Sequence, residues 1–534
     1  MEVDCLPFKD TGYFSPLICE YVEQKEALRS LYHRYPNLEN FKQQIVEKRV
    51  SYPIKNRAVL CGVLQRQYQN IAKSKATEAQ ISLLSSENTF TVVTGHQLNL
   101  FTGPLYFLYK IISTINLAKD LKNRYPENNF VPVYWMATED HDFEEINYFN
   151  LNGKKLRWNK KVSGAVGRLD TEGLDILWHT FSKELGKGMH AEKLKELFRK
   201  AYLEHDTLAD ATRFLANALF GDYGLVILDA DDKELKQLLV PYVTQDLLQS
   251  TAHTEVRKTI DTLSAIDGRY TAQVNPRAIN YFYLKNNVRE RIVAQDGIFY
   301  INDTDQKFTE EAILGELQDY PERFSPNVIT RPLYQEVILP NLCYIGGGGE
   351  IAYWLLLKSY FDAEKVPFPI LLLRNSALVI HPKQQKKIEK LNLHVSDLFL
   401  SQDELIRKKV REISKIKIDF TPQKKHLEQQ FKQLYDLASQ TDKSFLGAVK
   451  AQEAKQLKGL ALLEKRLLKA QKRKLNDHVE RIIAIQNELF PNGSLQERNL
   501  NFSELFMEWG DDLIPFLSAK LNPLDFHFLV LKGH

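Results

Sequence analysis

The chain has 534 residues, 44% hydrophobic and 26% charged, and its 71 Lys and Arg nearly cancel 68 Asp and Glu to leave a net charge of +3. That length sets about three or four folding units as the starting expectation. The composition excludes a disordered chain, and the charge balance argues against nucleic acid as a partner.

Four widely spaced cysteines, Cys5, Cys19, Cys61 and Cys343, include no CxxC pair. They point to a reducing compartment, with neither a disulfide framework nor a cysteine-rich zinc site. No apolar stretch reaches the about eighteen residues a membrane helix needs, so no membrane partner is expected. The opening MEVDCLPFKDTGYFSPL is acidic at first, contains two prolines and is unlike a signal peptide. The expected setting is the cytoplasm.

From about Tyr13 to Ala79 helical patterns dominate, with breaks at Tyr35-Pro36 and Tyr52-Pro53. From about Thr89 to Ile380 short β-branched runs alternate with helices, the pattern of an α/β unit with a largely parallel sheet. Its clearest unit predicts a strand at 89–94, a helix at 104–121 and a strand at 131–138. A right-handed crossover brings both strand ends to one edge of the sheet. At the first end stands TGHQLNLFTGP, where Gly95 is expected to permit a tight turn and Gly103 with Pro104 to set the helix start. Free N–H groups there would favour a phosphate or carboxylate, with His96, Gln97 and Asn99 as further ligand contacts. The plainer reading is a strand-to-helix turn with capping side chains.

The second strand end delivers Glu139, Asp140, His141 and Asp142, the candidate catalytic residues. Such a cluster suits a general acid/base pair, a magnesium site or an amine site, or else a solvated capping turn. No paired His spacing supports a transition metal, and no metal is predicted. A third strand, GLVILDADD, also ends in acids.

In SPNVITRPLYQEVILPNLCYIGGGGEIAYW, Arg331 and Gln335 share a helix face, and Gly346, Gly347, Gly348 and Gly349 lead into a helix expected to begin at Glu350. A glycine run lets backbone approach an anion, and Arg331 can hold a carboxylate bidentately. Asn327, Glu350 and Tyr353 complete this set of candidate binding residues. The alternative is a flexible loop before an amphipathic helix.

Beyond Pro382 the chain predicts one helix at about Pro422–Ala438 and a long one from about Ser444 to Leu489. Leu468, Leu475, Ile482 and Leu489 recur every seven residues, and Leu427, Phe431, Leu434 and Ala438 alternate by fours and threes, the seam of a coiled coil. Ten basic and four acidic residues lie between Lys450 and Arg481. The apolar, aromatic LIPFLSAKLNPLDFHFLVL is expected to return to the first core. Neither GxxxxGK[ST] nor a GxGxxG at the first strand is present, so no motif places ATP or another nucleotide.

Seven blocks together resemble one known family: LPFKDTGYFSPL, VVTGHQLNLFTGPLYFLYK, WMATEDHDFEEI, GLVILDADD, the SPNVITRPLYQ…GGGGEIAYW stretch, LFPNGSLQER and LNPLDFHFLVL. This is the bacillithiol biosynthesis cysteine-adding enzyme family. The resemblance implies a Rossmann-like, nucleotidyltransferase-type α/β core over 1–381 with inserted segments, a helical coiled-coil domain over 382–490 and a returning segment over 491–534. It implies a ligase that joins cysteine to the amine of glucosaminyl-malate, and a homodimer through the arm. Members often carry Gln where this chain has His96, which argues against His96 as an indispensable base. Amide formation needs an activated carboxylate, for which ATP or another nucleotide is the economical source. Another amino sugar as substrate, or a coiled-coil scaffold with an inactive core, are the competing readings. The three turns TGHQ, EDHD and GGGGE are expected to share one site.

Overall fold

Five parallel strands form the central sheet of the computed structural model, which describes residues 3–533. They are β1 (Thr89–His96), β2 (Asn129–Met136), β3 (Val226–Asp229), β4 (Asn341–Gly346) and β5 (Ile370–Leu373), in the order β5-β4-β1-β2-β3. Every residue of β1 is buried. A parallel strand covered on both faces has no solvent side, so its sequence is a run and not an alternation. β1 and β2 pair from Thr89 opposite Asn129 to His96 opposite Met136, which sets their carboxyl ends side by side. The strand order reverses between β1 and β4, the place where open α/β sheets form a crevice.

Helix α1 (Tyr106–Arg124) joins β1 to β2 and packs on both. It starts two residues later than the sequence suggests, because Leu100–Thr102 form a short 3-10 turn. Phe101, Thr102 and Gly103 there have φ of 48°, 67° and 62°. Left-handed backbone at Phe and Thr costs on the order of 1–3 kcal/mol each. Surrounding structure offsets it. The Phe101 ring lies among Phe149, Phe181, Phe198 and Phe502, and its N–H donates to the Tyr202 hydroxyl at 2.7 Å. Asn501 donates its amide to the carbonyls of Phe101 and Gly103, both at 2.7 Å.

Between β3 and β4 the chain inserts an antiparallel five-stranded sheet running from Tyr281–Lys285 to Phe324–Pro326. Helices α2 (Arg331–Ile338) and α3 (Gly348–Trp354) flank β4. The C-terminal strand His527–Lys532 pairs antiparallel with Val3–Pro7 and parallel with Ser376–Ile380. Asn116 of α1 donates to the carbonyls of Ser518 and Leu521, so the last segment packs on the core.

The arm contains α4 (Gln402–Ile413), α5 (Thr421–Ala438), α6 (Lys443–Lys474) and α7 (Asn476–Leu489). Two expectations change here. The long helix breaks at Leu475, where φ is −105° and ψ is 25°. The heptad also changes partners along its length. Phe431, Ala438 and Val449 bury one another in the α5–α6 hairpin. Leu468 and Leu475 instead pack with Ile406, Val410, Ile418 and Val479, while Ile482 and Leu489 join the main core. The reason is length: α5 has 18 residues and α6 has 32, so α5 covers only the outer part of its neighbour. Among the described residues, no helix is long and apolar enough to cross a membrane.

Candidate active site

The carboxyl edge of the sheet opens into one cleft of about 980 Å³. Gly95, His96, Gln97, Glu139 to Asp142, Asn327, Arg331, Gly347 to Glu350 and Tyr353 all line it. The turns TGHQ, EDHD and GGGGE therefore meet in one space. Asn99, Gly103, Gln335 and Gly346 stand outside its lining.

Several local expectations need correction. Gly95 is the seventh residue of β1, not a turn after it. An added Cβ would lie 3.3 Å from the Tyr344 hydroxyl and 3.8 Å from Arg331 Nη1, so this glycine makes room for those groups. The start of α1 is no anion site, because the Leu105 N–H donates to the Leu500 carbonyl at 2.7 Å. Gln97 and Asn99 spend their donors on protein. The Gln97 amide reaches Asp140 at 2.8 Å and Glu145 at 2.9 Å, and the Asn99 amide reaches the Glu145 carbonyl at 3.1 Å. Both brace the EDHD turn from behind.

The glycine run also has a different cause from the expected one. None of its four members has positive φ, and the last two already belong to α3. At Gly346 an added Cβ would sit 2.9 Å from Glu350 Cβ and 3.0 Å from Tyr344 Cε1. Gly347 donates its N–H to Glu350 Oε2 at 2.9 Å. Close approach, not left-handed backbone, is what requires glycine at Gly346.

Below these glycines lies a buried ion pair. Lys110 of α1 meets Glu350 at 2.5 Å and donates to the Gly95 carbonyl at 2.8 Å. Burial pushes the Lys110 ammonium down. Burial would raise Glu350, but Lys110, the Tyr344 hydroxyl at 2.6 Å and the Gly347 N–H hold it below the usual carboxylate value. Arg331 sits 5.4, 5.6 and 5.9 Å from the rings of Trp135, Tyr344 and Trp354. It donates to Gln335 Oε1 at 3.1 Å, and Gln335 in turn donates to Glu336, which pairs with Lys48 at 3.0 Å. Gln335 thus orients Arg331 from outside the cleft. Arg374, directly after β5, is tied to Glu497 at 2.6 Å. Among the described residues, Arg331 Nη2 and Arg374 Nε find no acceptor and are buried. Both guanidiniums line the cleft, and two in one wall suit a carboxylate or phosphate.

The opposite wall is acidic, but its four leading residues differ. Glu139 is ion-paired with Lys236, which also donates to the Phe324 carbonyl at 2.8 Å, and burial raises its carboxyl. This candidate catalytic residue is thus held by an ion pair within the protein. Burial would raise Asp140 too, yet His141, Gln97 and Arg289 keep it well below normal. His141 Nδ1 lies 2.6 Å from Arg289 Nη1 and must accept from it, which places the ring proton on Nε2. Asp142 and Glu145 face the cleft. Asp140, His141 and Asp142 can bring three ligand atoms within 4.8 Å of one another. The Arg289 guanidinium meets His141 Nδ1, and its positive charge beside the set makes it a poor fit for a cation. The β3 acids are structural: Arg213 faces Asp229 at 3.8 Å, Arg168 holds Asp231 at 2.7 and 2.8 Å, and Asp232 caps the next helix.

Lys110, Glu145, Arg289, Tyr344 and Arg374 are among the cleft residues that escape the sequence reading. Lys110 was signalled by a lone lysine inside the apolar YFLYKIIST helix, and Arg374 by its place at the carboxyl end of ILLL. Arg289 comes from the inserted sheet and has no local signal.

Residues 1–375 match the family model described as bacillithiol biosynthesis BshC, N-terminal Rossmann-like domain, and residues 377–533 match its C-terminal coiled-coil domain. The chain belongs to the BshC family. The junction between the two matches falls where β5 ends and the strand Ser376–Ile380 begins. Proteins named "Putative cysteine ligase BshC" are similar over the whole length. The one from Christiangramia forsetii is 59% identical, covering 99% of both chains. Those of Flavobacterium johnsoniae and Cytophaga hutchinsonii are 58% and 38% identical, covering 99% and 98% of this chain and 100% and 98% of theirs. These family names place the chain among ligases.

Proposed function

We propose that this BshC-family chain joins the carboxyl group of cysteine to the amine of glucosaminyl-malate, completing bacillithiol in the cytoplasm. The observation that carries this reading is the polarity of the cleft. One wall carries the guanidiniums of Arg331 and Arg374, and the other carries the carboxylates of Asp140, Asp142 and Glu145. An amino sugar bearing malate has carboxylates for the first wall and an amine for the second. The names of the relatives supply cysteine as the acyl partner. A free carboxylate is a poor acyl donor, so the amine's attack would need one carboxylate oxygen of cysteine to leave as part of a phosphate or nucleotide group, which ATP or another nucleotide would supply. The partners are small molecules and a second copy of the chain through the arm.

The test incubates purified protein with cysteine and glucosaminyl-malate, with and without ATP, and follows the amide product by mass spectrometry. Cells lacking the protein should accumulate glucosaminyl-malate and lose bacillithiol. Folded protein that forms no amide under either condition, with bacillithiol unchanged in the deleted cells, sinks the reading. An amide formed only with a different amino sugar moves the assignment to that substrate.

A further inference from the structure

Next to the cleft, and sharing His96 and Gln97 with it, lies a second and much smaller cavity. Asn99, Thr102, Phe107, Tyr134 and Thr212 are among the residues that close it with His96. It leaves about 10 Å³ for a water centre, room for one molecule and no more. Four lining residues are buried to 8% exposure or less: His96 at 7%, Asn99 at 8%, Thr102 at 4% and Thr212 at 6%. Each has a polar atom with no partner among the described residues, namely His96 Nε2, Asn99 Oδ1, Thr102 Oγ1 and Thr212 Oγ1.

We infer that a single water molecule is bound there by His96, Asn99, Thr102 and Thr212, and that the last three are positioning residues for the His96 ring. The hydrogen-bond inventory matches. Asn99 already donates its amide to the Glu145 carbonyl, so its Oδ1 is an acceptor. A neutral imidazole with its proton on Nδ1 makes Nε2 a second acceptor, and the two threonine hydroxyls are free to donate. Two acceptors and two donors are the complement of one tetrahedral water. Neutrality agrees with burial and the neighbouring Lys110, which hold the imidazole well below its usual pKa. The geometry also gives the left-handed turn a use. Thr102 is a β-branched residue at φ 67°, and that conformation sets its hydroxyl on this cavity while Asn501 clamps the carbonyls on either side.

This inference is independent of the substrate assigned above, since it concerns the free protein. A crystal structure of the full chain at about 1.5 Å should show one density peak within about 2.6–3.2 Å of the four atoms. Histidine nitrogen NMR should show His96 neutral, protonated on Nδ1 and not on Nε2. Thr212→Val, which keeps the shape and removes a donor, should lose the peak and shift the His96 ring resonances. Thr212→Ser should restore both. Absence of density in the wild-type protein overturns the inference, as does a proton on Nε2. Identical His96 resonances in all three proteins overturn the positioning role. Should Thr212→Val fail to fold, the wild-type density and tautomer still decide.

Discussion

Gly95 and His96 are neighbours on β1, yet one is constrained by space and the other by solvation. A side chain at Gly95 meets the Tyr344 hydroxyl and Arg331 within 4 Å, both in the same wall of the cleft. Gly95→Val should therefore displace Arg331 and lower ligation at least about a hundredfold, comparable to removing a general catalyst. His96 is neutral and buried, so it cannot switch charge near pH 7. His96→Gln keeps a neutral hydrogen-bonding group and should stay within about tenfold of the wild-type rate. Both are read as amide formed per minute from cysteine and glucosaminyl-malate. A loss of about a thousandfold in His96→Gln with its fold intact would restore His96 as the general base.

A second titratable site lies away from this chemistry. Burial raises Glu364 to about 7, helped by Asp246, and burial raises Asp246 itself to about 6. A carboxyl whose pKa rises on folding holds more protons in the folded state than in the unfolded one. Its stabilising contribution is complete below the unfolded value and disappears as pH climbs through the folded value. Urea unfolding should thus show this pair weakening the protein between about pH 4 and about pH 7. Glu364 is 8% exposed, and Glu364→Gln should flatten that decline by about 1–3 kcal/mol. A variant whose stability falls as steeply as wild type removes Glu364 from the account.

At the scale of elements, the turn Leu100–Thr102 shows what a sequence can and cannot carry. β1, α1 and β2 are legible because buried parallel strands read as apolar runs and a helix keeps its own period. The turn between them is not, since Phe and Thr give no hint of positive φ. It persists because Asn501, some four hundred positions away, donates to it twice. The C-terminal segment therefore shapes the floor of the first crossover. Asn501→Ala removes four buried hydrogen bonds, the two to the turn and two that Ser503 donates to Asn501 Oδ1, and should cost about 2–4 kcal/mol in urea unfolding. A cost under about 0.5 kcal/mol would mean that the phenylalanine cluster holds the turn alone. Arg289 illustrates the same limit at the site. Its approach to His141 depends on how the inserted sheet lies over β2, and no local spacing encodes that. The EDHD and GGGG turns were legible because they sit at strand ends, where position alone implies the crevice.

Across the whole molecule, the arm divides into a part that serves the chain's own fold and a part left for something else. Leu468 and Leu475 belong to the first part, packed against α4 and Val479 near the base of the arm. Leu437 and Leu463 belong to the second, each 53% exposed on α5 and α6, with Leu462 at 51% and Leu446 at 43%. These exposed apolar residues are spread along both helices of one hairpin, and a homodimer is the proposed cover. Sedimentation of the native protein should then give about twice the chain mass of 61.9 kDa. Leu437→Glu combined with Leu463→Glu should yield the monomer with little change in unfolding free energy, because neither side chain is buried within the chain. Leu468→Glu combined with Leu475→Glu should instead loosen the base of the arm, lowering stability before it alters mass. A native protein that sediments as a monomer ends the dimer proposal. A dimer that survives Leu437→Glu and Leu463→Glu moves the contact off this face of the arm.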